Sequence, residues 1–324
     1  MSDPYVKVEG LTREFDVSKP LLNRIFQMEG KKILTAVEDV HFEIERGSTY
    51  ALVGESGSGK STIAKMLVGL IAPTRGRVHI DGVDLSDADE ETSSALRQRI
   101  QMIFQDPYAS LNPRWRVRDI VGEPYAAFNS VTSGEVTRRV DDLLEKVGLS
   151  SKDAHKYPHE FSGGQRQRIG IARALSSDPE FIVCDEPTSA LDVSVQAQVL
   201  NLMRDLQSDL GLTYLFITHD LAVVRYMADQ VGVLYLGNLI ESSPRESLFT
   251  EPKHPYSRML LESAPRMDGF GREHEASEGE IPDPINRPSG CHFHPRCAQA
   301  FDKCKQNFPE IKRNGLTEYR CFLD

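Results

Sequence analysis

The sequence predicts an α/β fold with a parallel sheet at its core, an antiparallel β flank, a helical lobe and a small cysteine-rich C-terminal extension. Short apolar runs alternate with helical patterns, which is typical of a parallel sheet covered by helices. A glycine-rich segment joins one apolar run to a helical pattern. The composition, with 40% hydrophobic and 27% charged residues among 324, is ordinary for a chain that buries a core.

The flank is predicted from the first residues. Tyr5–Phe15 and Leu34–Ile44 alternate apolar and polar residues, as half-buried strands do, and a polar insertion separates them at about Asp16–Lys32. Core strands are predicted at the apolar runs Tyr50–Val53, Phe181–Cys184, Tyr214–Ile217 and Val231–Tyr235.

Helices are predicted between these runs. Thr62–Leu70 has a helical pattern, and residues 107–160 predict a helical lobe. Leu191–Leu210 predicts an amphipathic helix that ends at Gly211. Its apolar residues fall three or four apart at Val195, Val199, Leu202, Leu206 and Leu210. The polar, proline-rich stretch Gly271–Pro288 predicts a linker.

Charge and hydropathy restrict the function. The formal net charge of −10 argues against general nucleic-acid binding, which needs a basic face, and we expect no nucleic-acid partner. No apolar stretch approaches the roughly 18 residues of a membrane span. The N-terminus lacks the pattern of a secretory signal. We therefore expect a cytosolic protein that reaches a membrane only through partners.

Residues 54–61, GESGSGKS, lie between a predicted strand and a predicted helix and match the phosphate-loop pattern. Glycines let backbone N–H groups approach phosphate oxygens, Lys60 can reach the outer phosphates, and the Ser61 hydroxyl can bind magnesium. The residues predicted to contact nucleotide here are Gly54, Ser56, Gly57, Gly59, Lys60, Ser61 and Thr62. The alternative, a plain glycine-rich turn, does not explain the flanking elements.

Two acidic residues follow the apolar run FIVC. Asp185, at the carboxyl end of a parallel strand, is suited to hold magnesium through water, and Glu186 is suited to polarise an attacking water as a general base. Without the phosphate loop, two solvated acids would be the better interpretation. Cys184, inside the strand, is interpreted as core packing.

A second glycine motif, FSGGQ, occupies residues 161–165 at the start of a helical pattern, and a helix start of this kind also binds anions. One chain has no evident need for two phosphate cradles. Both are needed if two subunits face each other and each offers this motif to the other's ATP.

With these motifs the sequence resembles the ABC-type ATPases over most of residues 5–250. The resemblance implies an ATP- and magnesium-dependent ATPase that works as a two-subunit sandwich. It implies that Gln105 is the glutamine of a loop that contacts magnesium and the membrane partner, and that His219 contacts the γ-phosphate. It also adds Ser162, Gly163, Gly164, Gln165 and Asp192 to the nucleotide site, and Phe15 as the candidate for adenine stacking. The catalytic set is then Lys60, Gln105, Glu186 and His219, and the magnesium set is Ser61, Gln105 and Asp185.

Four cysteines close the chain with the spacing C-x5-C-x6-C-x16-C, at Cys291, Cys297, Cys304 and Cys321. On chemistry alone, a [4Fe–4S] cluster and a zinc site are equally compatible with four thiolates. The resemblance then favours the cluster. The segments KHPYS and GCHFHPRC resemble the C-terminal extension of dipeptide and oligopeptide importer ATPases, some of which carry a [4Fe–4S] cluster there.

This second resemblance implies two domains, an ABC nucleotide-binding domain at 1–250 and a transporter-type extension at 251–324. It implies the ATP-hydrolysing motor of a membrane importer for di- and oligopeptides, peripheral to the cytoplasmic face of the membrane. The implied partners are a second ATPase subunit, a paralogue, together with two transmembrane permease subunits and, indirectly, an extracytoplasmic solute-binding protein. The same motor for nickel or an oligosaccharide, a soluble ABC ATPase and a metal-sensing regulator are the alternatives.

Overall fold

The structure is a computed structural model that describes residues 3–18, 30–263 and 282–323. Of the predicted insertion at about Asp16–Lys32, residues 19–29 lie outside the described residues. Of the predicted linker Gly271–Pro288, residues 271–281 also lie outside them.

Twelve strands form two sheets in the described part of the chain. In chain order they are β1 (Val6–Asp16), β2 (Ile33–Ile44), β3 (Thr49–Val53), β4 (Arg75–Ile80), β5 (Val83–Asp84), β6 (Ile100–Ile103), β7 (Phe181–Asp185), β8 (Thr213–Ile217), β9 (Gln230–Tyr235), β10 (Asn238–Pro244), β11 (Lys312–Asn314) and β12 (Thr317–Tyr319).

The smaller sheet is the predicted antiparallel flank. Its strand order is β2-β1-β4-β5, and β1 pairs antiparallel with both β2 and β4. Alternating burial along β2, with Val40, Phe42 and Ile44 turned inward, explains why a period of two in the sequence identified β1 and β2. The strands β4 and β5 were not predicted from the sequence.

The larger sheet has the order β11-β12-β10-β9-β3-β8-β7-β6. Within it, the adjacent strands β9, β3, β8, β7 and β6 pair in parallel, which confirms the predicted parallel core. Every residue of β3, β7 and β8 is buried, as expected for strands covered on both faces. The sheet is mixed, because β10, β12 and β11 continue it by antiparallel pairing. The end of the chain thus adds strands to the core sheet.

The helices cover these sheets and build the lobe. They are α1 (Lys60–Leu67), α2 (Glu90–Arg99), α3 (Pro107–Ser110), α4 (Val117–Phe128), α5 (Ser133–Lys146), α6 (Gly163–Leu175), α7 (Val193–Leu210), α8 (Leu221–Met227), α9 (Arg245–Thr250), α10 (Pro255–Ser263) and α11 (Asp302–Gln306), with short 3-10 turns at Ser151–His155, Pro158–Glu160 and His294–Arg296.

The predicted lobe at 107–160 corresponds to α3, α4, α5 and two of the 3-10 turns. Its apolar residues share one hydrophobic cluster with α6, α7 and the strands β7 and β8, so the lobe is packed onto the sheet through α6. The helix predicted at Leu191–Leu210 begins at Val193 after an Asp192 cap and ends at Gly211, whose φ is 67°. Leu210, predicted on its apolar face, is 43% exposed because it lies in the last turn.

Within the described ranges, no helix is both long enough and apolar enough to cross a bilayer.

Candidate functional site

The predicted site residues meet at one edge of the larger sheet. Because β3, β6, β7 and β8 run parallel, their carboxyl ends lie on the same side. The glycine-rich loop follows β3, Gln105 follows β6, Asp185 and Glu186 close β7, and His219 follows β8. In open α/β sheets this edge is where ligands bind.

The glycine-rich loop has a backbone that only glycine can adopt at two positions. Gly54 has φ 153°, and a Cβ there would lie 2.2 Å from the carbonyl oxygen of Leu234. Gly59 has φ 107°, and its Cβ would lie 2.4 Å from the carbonyl oxygen of Ala36. The loop is therefore folded tightly against the neighbouring backbone at both ends. Ser56 and Gly57, between them, are exposed and leave the middle of the loop open.

Lys60 is the first residue of α1, and its side chain folds back over the loop. Its ammonium donates to the carbonyl oxygens of Gly54 (2.7 Å) and Glu55 (2.8 Å) and to Ser58 Oγ (3.3 Å). Burial lowers the pKa of Lys60, and nearby acidic groups oppose that shift. A cation held at the mouth of an exposed glycine loop is suited to an anionic ligand, which would replace these oxygen acceptors.

Ser61 and Asp185 supply neighbouring oxygen ligands beside the loop. Ser61 Oγ donates to Asp185 Oδ1 over 3.1 Å. Burial raises the pKa of Asp185, and the hydrogen bond from Ser61 acts in the opposite direction. A hydroxyl next to a partly desolvated carboxylate fits a hard cation such as magnesium, which would relieve the cost of burying the charge.

Glu186 lies at the centre of a polar group contributed by three strand ends. Its Oε2 accepts from Gln105 Nε2 at 2.9 Å, and its Oε1 is 3.2 Å from His219 Nδ1. Gln105 and His219 are exposed, while Glu186 is half-buried. Glu186 also has φ 46°, a left-handed conformation that is unusual for a residue with a side chain. The arrangement presents a carboxylate toward solvent beside two polar partners and can orient a water molecule.

The second glycine motif begins α6. Ser162 caps this helix: its Oγ accepts from the backbone N–H of Gln165, and the Gln165 side chain accepts from the backbone N–H of Ser162. This reciprocal arrangement fixes the helix start, which carries a partial positive charge. Ser162, Gly163 and Gln165 are exposed.

Gly164 has a packing role that the sequence did not indicate. It is buried, and a Cβ at this position would lie 2.3 Å from Cγ1 of Val195 on α7. Asp192 caps that same helix, where Oδ1 accepts from the backbone N–H of Val195 at 2.9 Å and from the Ser194 hydroxyl at 2.8 Å. The glycine motif and Asp192 are thus connected through the contact between α6 and α7.

Phe15, the candidate for adenine stacking, lies on β1 opposite Leu34 of β2. Its ring is half-buried, and the guanidinium carbon of Arg13 lies 4.6 Å from the ring centroid. A stacking role for Phe15 stays a prediction.

The prediction of a [4Fe–4S] cluster, and of zinc as its alternative, is wrong. Cys291, Cys297, Cys304 and Cys321 line one cavity, yet in residues 3–18, 30–263 and 282–323 no group of three or more His, Cys, Asp or Glu is arranged to hold a metal ion. Burial raises the pKa of Cys291 to about 11 and also raises that of Cys297 and Cys321. Burial disfavours the charged thiolate form of Cys291, Cys297 and Cys321. The spacing in the sequence could not show either property.

Three residues at the site were missed in the sequence. Glu55, inside the glycine-rich loop, forms a bidentate ion pair with Arg296, with N–O distances of 2.8 and 2.9 Å. The backbone N–H of Glu55 donates to the Tyr256 hydroxyl at 3.0 Å. Tyr256 belongs to the KHPYS segment, which indicated a resemblance to transporter extensions and no contact with the loop. Glu55 lies 201 positions from Tyr256 and 241 positions from Arg296 in the sequence. No local pattern connects residues so far apart, so only the fold could identify these contacts.

Comparison with known proteins places this site in context. The pattern of the ABC transporter family matches residues 37–189, and that of the oligopeptide/dipeptide transporter C-terminal region matches residues 240–304. The chain is 46% identical over 312 residues to the dipeptide transport ATP-binding protein DppF of Haemophilus influenzae, covering 96% of this chain and 94% of that one. It is 48% identical over 310 residues to the oligopeptide transport ATP-binding protein AppF of Bacillus subtilis, covering 94% of each. A solved dimeric ATP-binding cassette, in a post-hydrolysis state with ADP and phosphate bound, is 28% identical with a TM-score of 0.64 and covers 74% of this chain and 98% of that one.

Proposed function

Since this chain belongs to the ABC transporter family, we propose that it is the ATP-hydrolysing motor subunit of a membrane importer for di- and oligopeptides. The observation that carries the proposal is the group of polar side chains at the carboxyl edge of the larger sheet. There Gln105 and His219 both contact Glu186, and Ser61 contacts Asp185. The relatives named for dipeptide and oligopeptide transport, and the match of residues 240–304, support peptides as the solute.

The glycine-rich loop would hold the phosphates of ATP. Its backbone N–H groups and the start of α1 bind the anion, and the Lys60 ammonium exchanges its loop oxygens for the outer phosphates. Ser61 and Gln105 would ligate magnesium directly, and Asp185 would hold it through water. Bound magnesium supplies positive charge that neutralises the β- and γ-phosphate oxygens.

Glu186 would act on the attacking water. Its carboxylate accepts a proton from that water, while Gln105 keeps the carboxylate oriented and His219 contacts the γ-phosphate. Phosphoryl transfer depends on positioning and electrostatic stabilisation, and these residues supply both.

A second subunit would complete the site. Ser162, Gly163 and Gln165 are exposed at the start of α6, and Asp192 is exposed at the start of α7. These residues would face the ATP held by the Lys60 loop of the neighbouring subunit. The solved dimeric cassette supports a paired arrangement for this fold. We propose a paralogue as the second subunit.

The rest of the assembly follows from the same proposal. Residues 1–250 would form the nucleotide-binding domain and residues 251–324 the extension. Two transmembrane permease subunits would hold the pair at the cytoplasmic face of the membrane, and a solute-binding protein would deliver the peptide from outside.

The proposal is tested by isolating the chain with its partners. A tagged chain is extracted in detergent from membranes of cells that make it, and the attached subunits are identified by mass spectrometry. The assembly is then placed in vesicles, where ATP-dependent uptake of a labelled dipeptide is measured. We expect two membrane-spanning proteins and peptide uptake. Recovery without membrane proteins, or uptake of nickel or an oligosaccharide in place of peptide, would refute it.

A further inference from the structure

The C-terminal segment 282–323 contacts the N-terminal half of the chain through three arginines. Arg287 binds Glu38 at 2.5 Å, Arg296 binds Glu55, and Arg320 binds Asp39 at 2.9 Å. Glu38 and Asp39 belong to β2 of the smaller sheet, whereas Glu55 lies inside the glycine-rich loop. Among these three ion pairs, the one made by Arg296 therefore reaches the site itself.

Glu55 is held at each of its polar groups. Its carboxylate accepts both hydrogen bonds from Arg296, its backbone N–H donates to the Tyr256 hydroxyl, and its carbonyl oxygen accepts from Lys60. Two of the three anchors come from residues beyond position 250. Glu55, which accepts a hydrogen bond from Lys60, is thus fixed by residues of the extension.

The two anchors are rigid because they are packed in the core. The Arg296 side chain is only 4% exposed, and Tyr256 is fully buried. The rings of Tyr235 and Phe293 lie 4.6 and 5.3 Å from the Tyr256 ring, and the Arg296 guanidinium lies within 6 Å of both. A planar guanidinium bound at both nitrogens to one carboxylate restricts orientation as well as distance.

We propose that Arg296 and Tyr256 are positioning residues that hold the glycine-rich loop in its nucleotide-binding shape, so that the extension sets the affinity for ATP. This inference rests on the proposed function of the loop. Without the anchors, Glu55 and the backbone around it are free to rearrange, and ATP binding must then order the loop at a cost in affinity. The chemical step uses Glu186, which follows β7 and is separated from β3 by β8, and Glu186 keeps its contacts with Gln105 and His219.

The test measures the Kd for MgATP, the KM and kcat of ATP hydrolysis, and the thermal midpoint for Arg296→Met, Arg296→Lys and Tyr256→Phe. Arg320→Met is the matched control, since it removes another arginine of the same segment whose partner is outside the loop. We expect the Kd and KM to rise about tenfold in Arg296→Met and severalfold in Tyr256→Phe, with kcat nearly unchanged. Arg296→Lys keeps the charge but loses the bidentate geometry, so its Kd and KM should lie between those of Arg296→Met and of the unmodified chain.

The outcomes separate this inference from the function it rests on. If Arg296→Met does not fold, Tyr256→Phe decides, because it removes one hydroxyl and keeps the ring. A Kd within twofold of the unmodified chain in Tyr256→Phe and in every folded Arg296 variant would overturn the inference while ATP binding stood. An equal rise in Arg320→Met would also overturn it, because general docking of the segment would then explain the effect. Failure of the unmodified chain to bind MgATP would instead remove the proposed function.

Discussion

Replacement of Glu186 by glutamine tests the proposed general base with little change of shape. Glu186 accepts from Gln105 at 2.9 Å and lies 3.2 Å from His219 Nδ1. A glutamine amide can keep both contacts, since its oxygen accepts from Gln105 and its NH₂ donates to the His219 nitrogen. The variant loses the ability to accept a proton but keeps the arrangement of the three side chains.

The size of the effect follows from this difference. A positioned general base contributes about 10²–10⁴-fold to a rate. At about 1.36 kcal/mol for each factor of ten, this corresponds to about 2.7–5.4 kcal/mol of transition-state stabilisation. The affinity for ATP should hardly change, because Lys60 and Ser61 make their hydrogen bonds to other groups and glutamine can keep the contact with Gln105. We therefore expect a large fall in kcat with nearly unchanged ATP binding, and a subunit pair that stays closed around ATP.

The assay is phosphate release in a single turnover, together with nucleotide binding and size-exclusion chromatography in MgATP. Glu246→Gln is the matched control, because it makes the same chemical change at an exposed surface pair with Arg245 and should leave the rate unchanged. Phosphate release by Glu186→Gln within tenfold of the unmodified chain would refute the role of this carboxylate. A loss of ATP binding would show that the substitution had disturbed the site and that the reasoning about its geometry is wrong.

Three further predictions concern the same edge of the sheet and its support. Ser61→Ala should weaken nucleotide binding about tenfold in the presence of magnesium but not in its absence, because it removes the hydroxyl beside Asp185. Binding titrations that show the same loss of affinity with and without magnesium would contradict this. His219→Ala should lower kcat about 10²-fold, measured as steady-state phosphate release, because it removes one polar contact to the reacting phosphate; an unchanged kcat would exclude that contact. Gly164→Ala places a Cβ 2.3 Å from Cγ1 of Val195 and should lower the free energy of unfolding, measured by thermal denaturation, by about 1–3 kcal/mol. Adding Val195→Ala should restore part of that loss, and no recovery would show that this contact is not the cause.

Local sequence patterns identified most of the polar side chains at the carboxyl edge of the larger sheet. The apolar runs gave β3, β7, β8 and β9 to within a residue or two, since a strand buried on both faces must be apolar throughout. Parallel pairing then brought Gln105, Glu186 and His219 together, as expected for residues that follow neighbouring parallel strands. The glycines of the phosphate loop were recognisable because their backbone conformations exclude other residues.

The cysteine prediction failed for the opposite reason. The order and spacing of Cys291, Cys297, Cys304 and Cys321 suggested a metal site, but metal binding depends on how the ligand atoms are arranged in space. That arrangement is a property of the folded chain, and the described residues contain no group of three or more His, Cys, Asp or Glu that could hold a metal ion.

The amino-acid sequence by itself determined the phosphate loop, the strand-end carboxylates and the helix start at Ser162, because each depends on neighbours within a few residues. Only the tertiary structure decided that Arg296 and Tyr256 contact Glu55, that Gly164 packs on Val195, and that the chain end extends the core sheet through β12. These contacts join residues far apart in the chain, and their energies depend on distance, burial and orientation in space. No spacing or periodicity along the chain specifies those quantities.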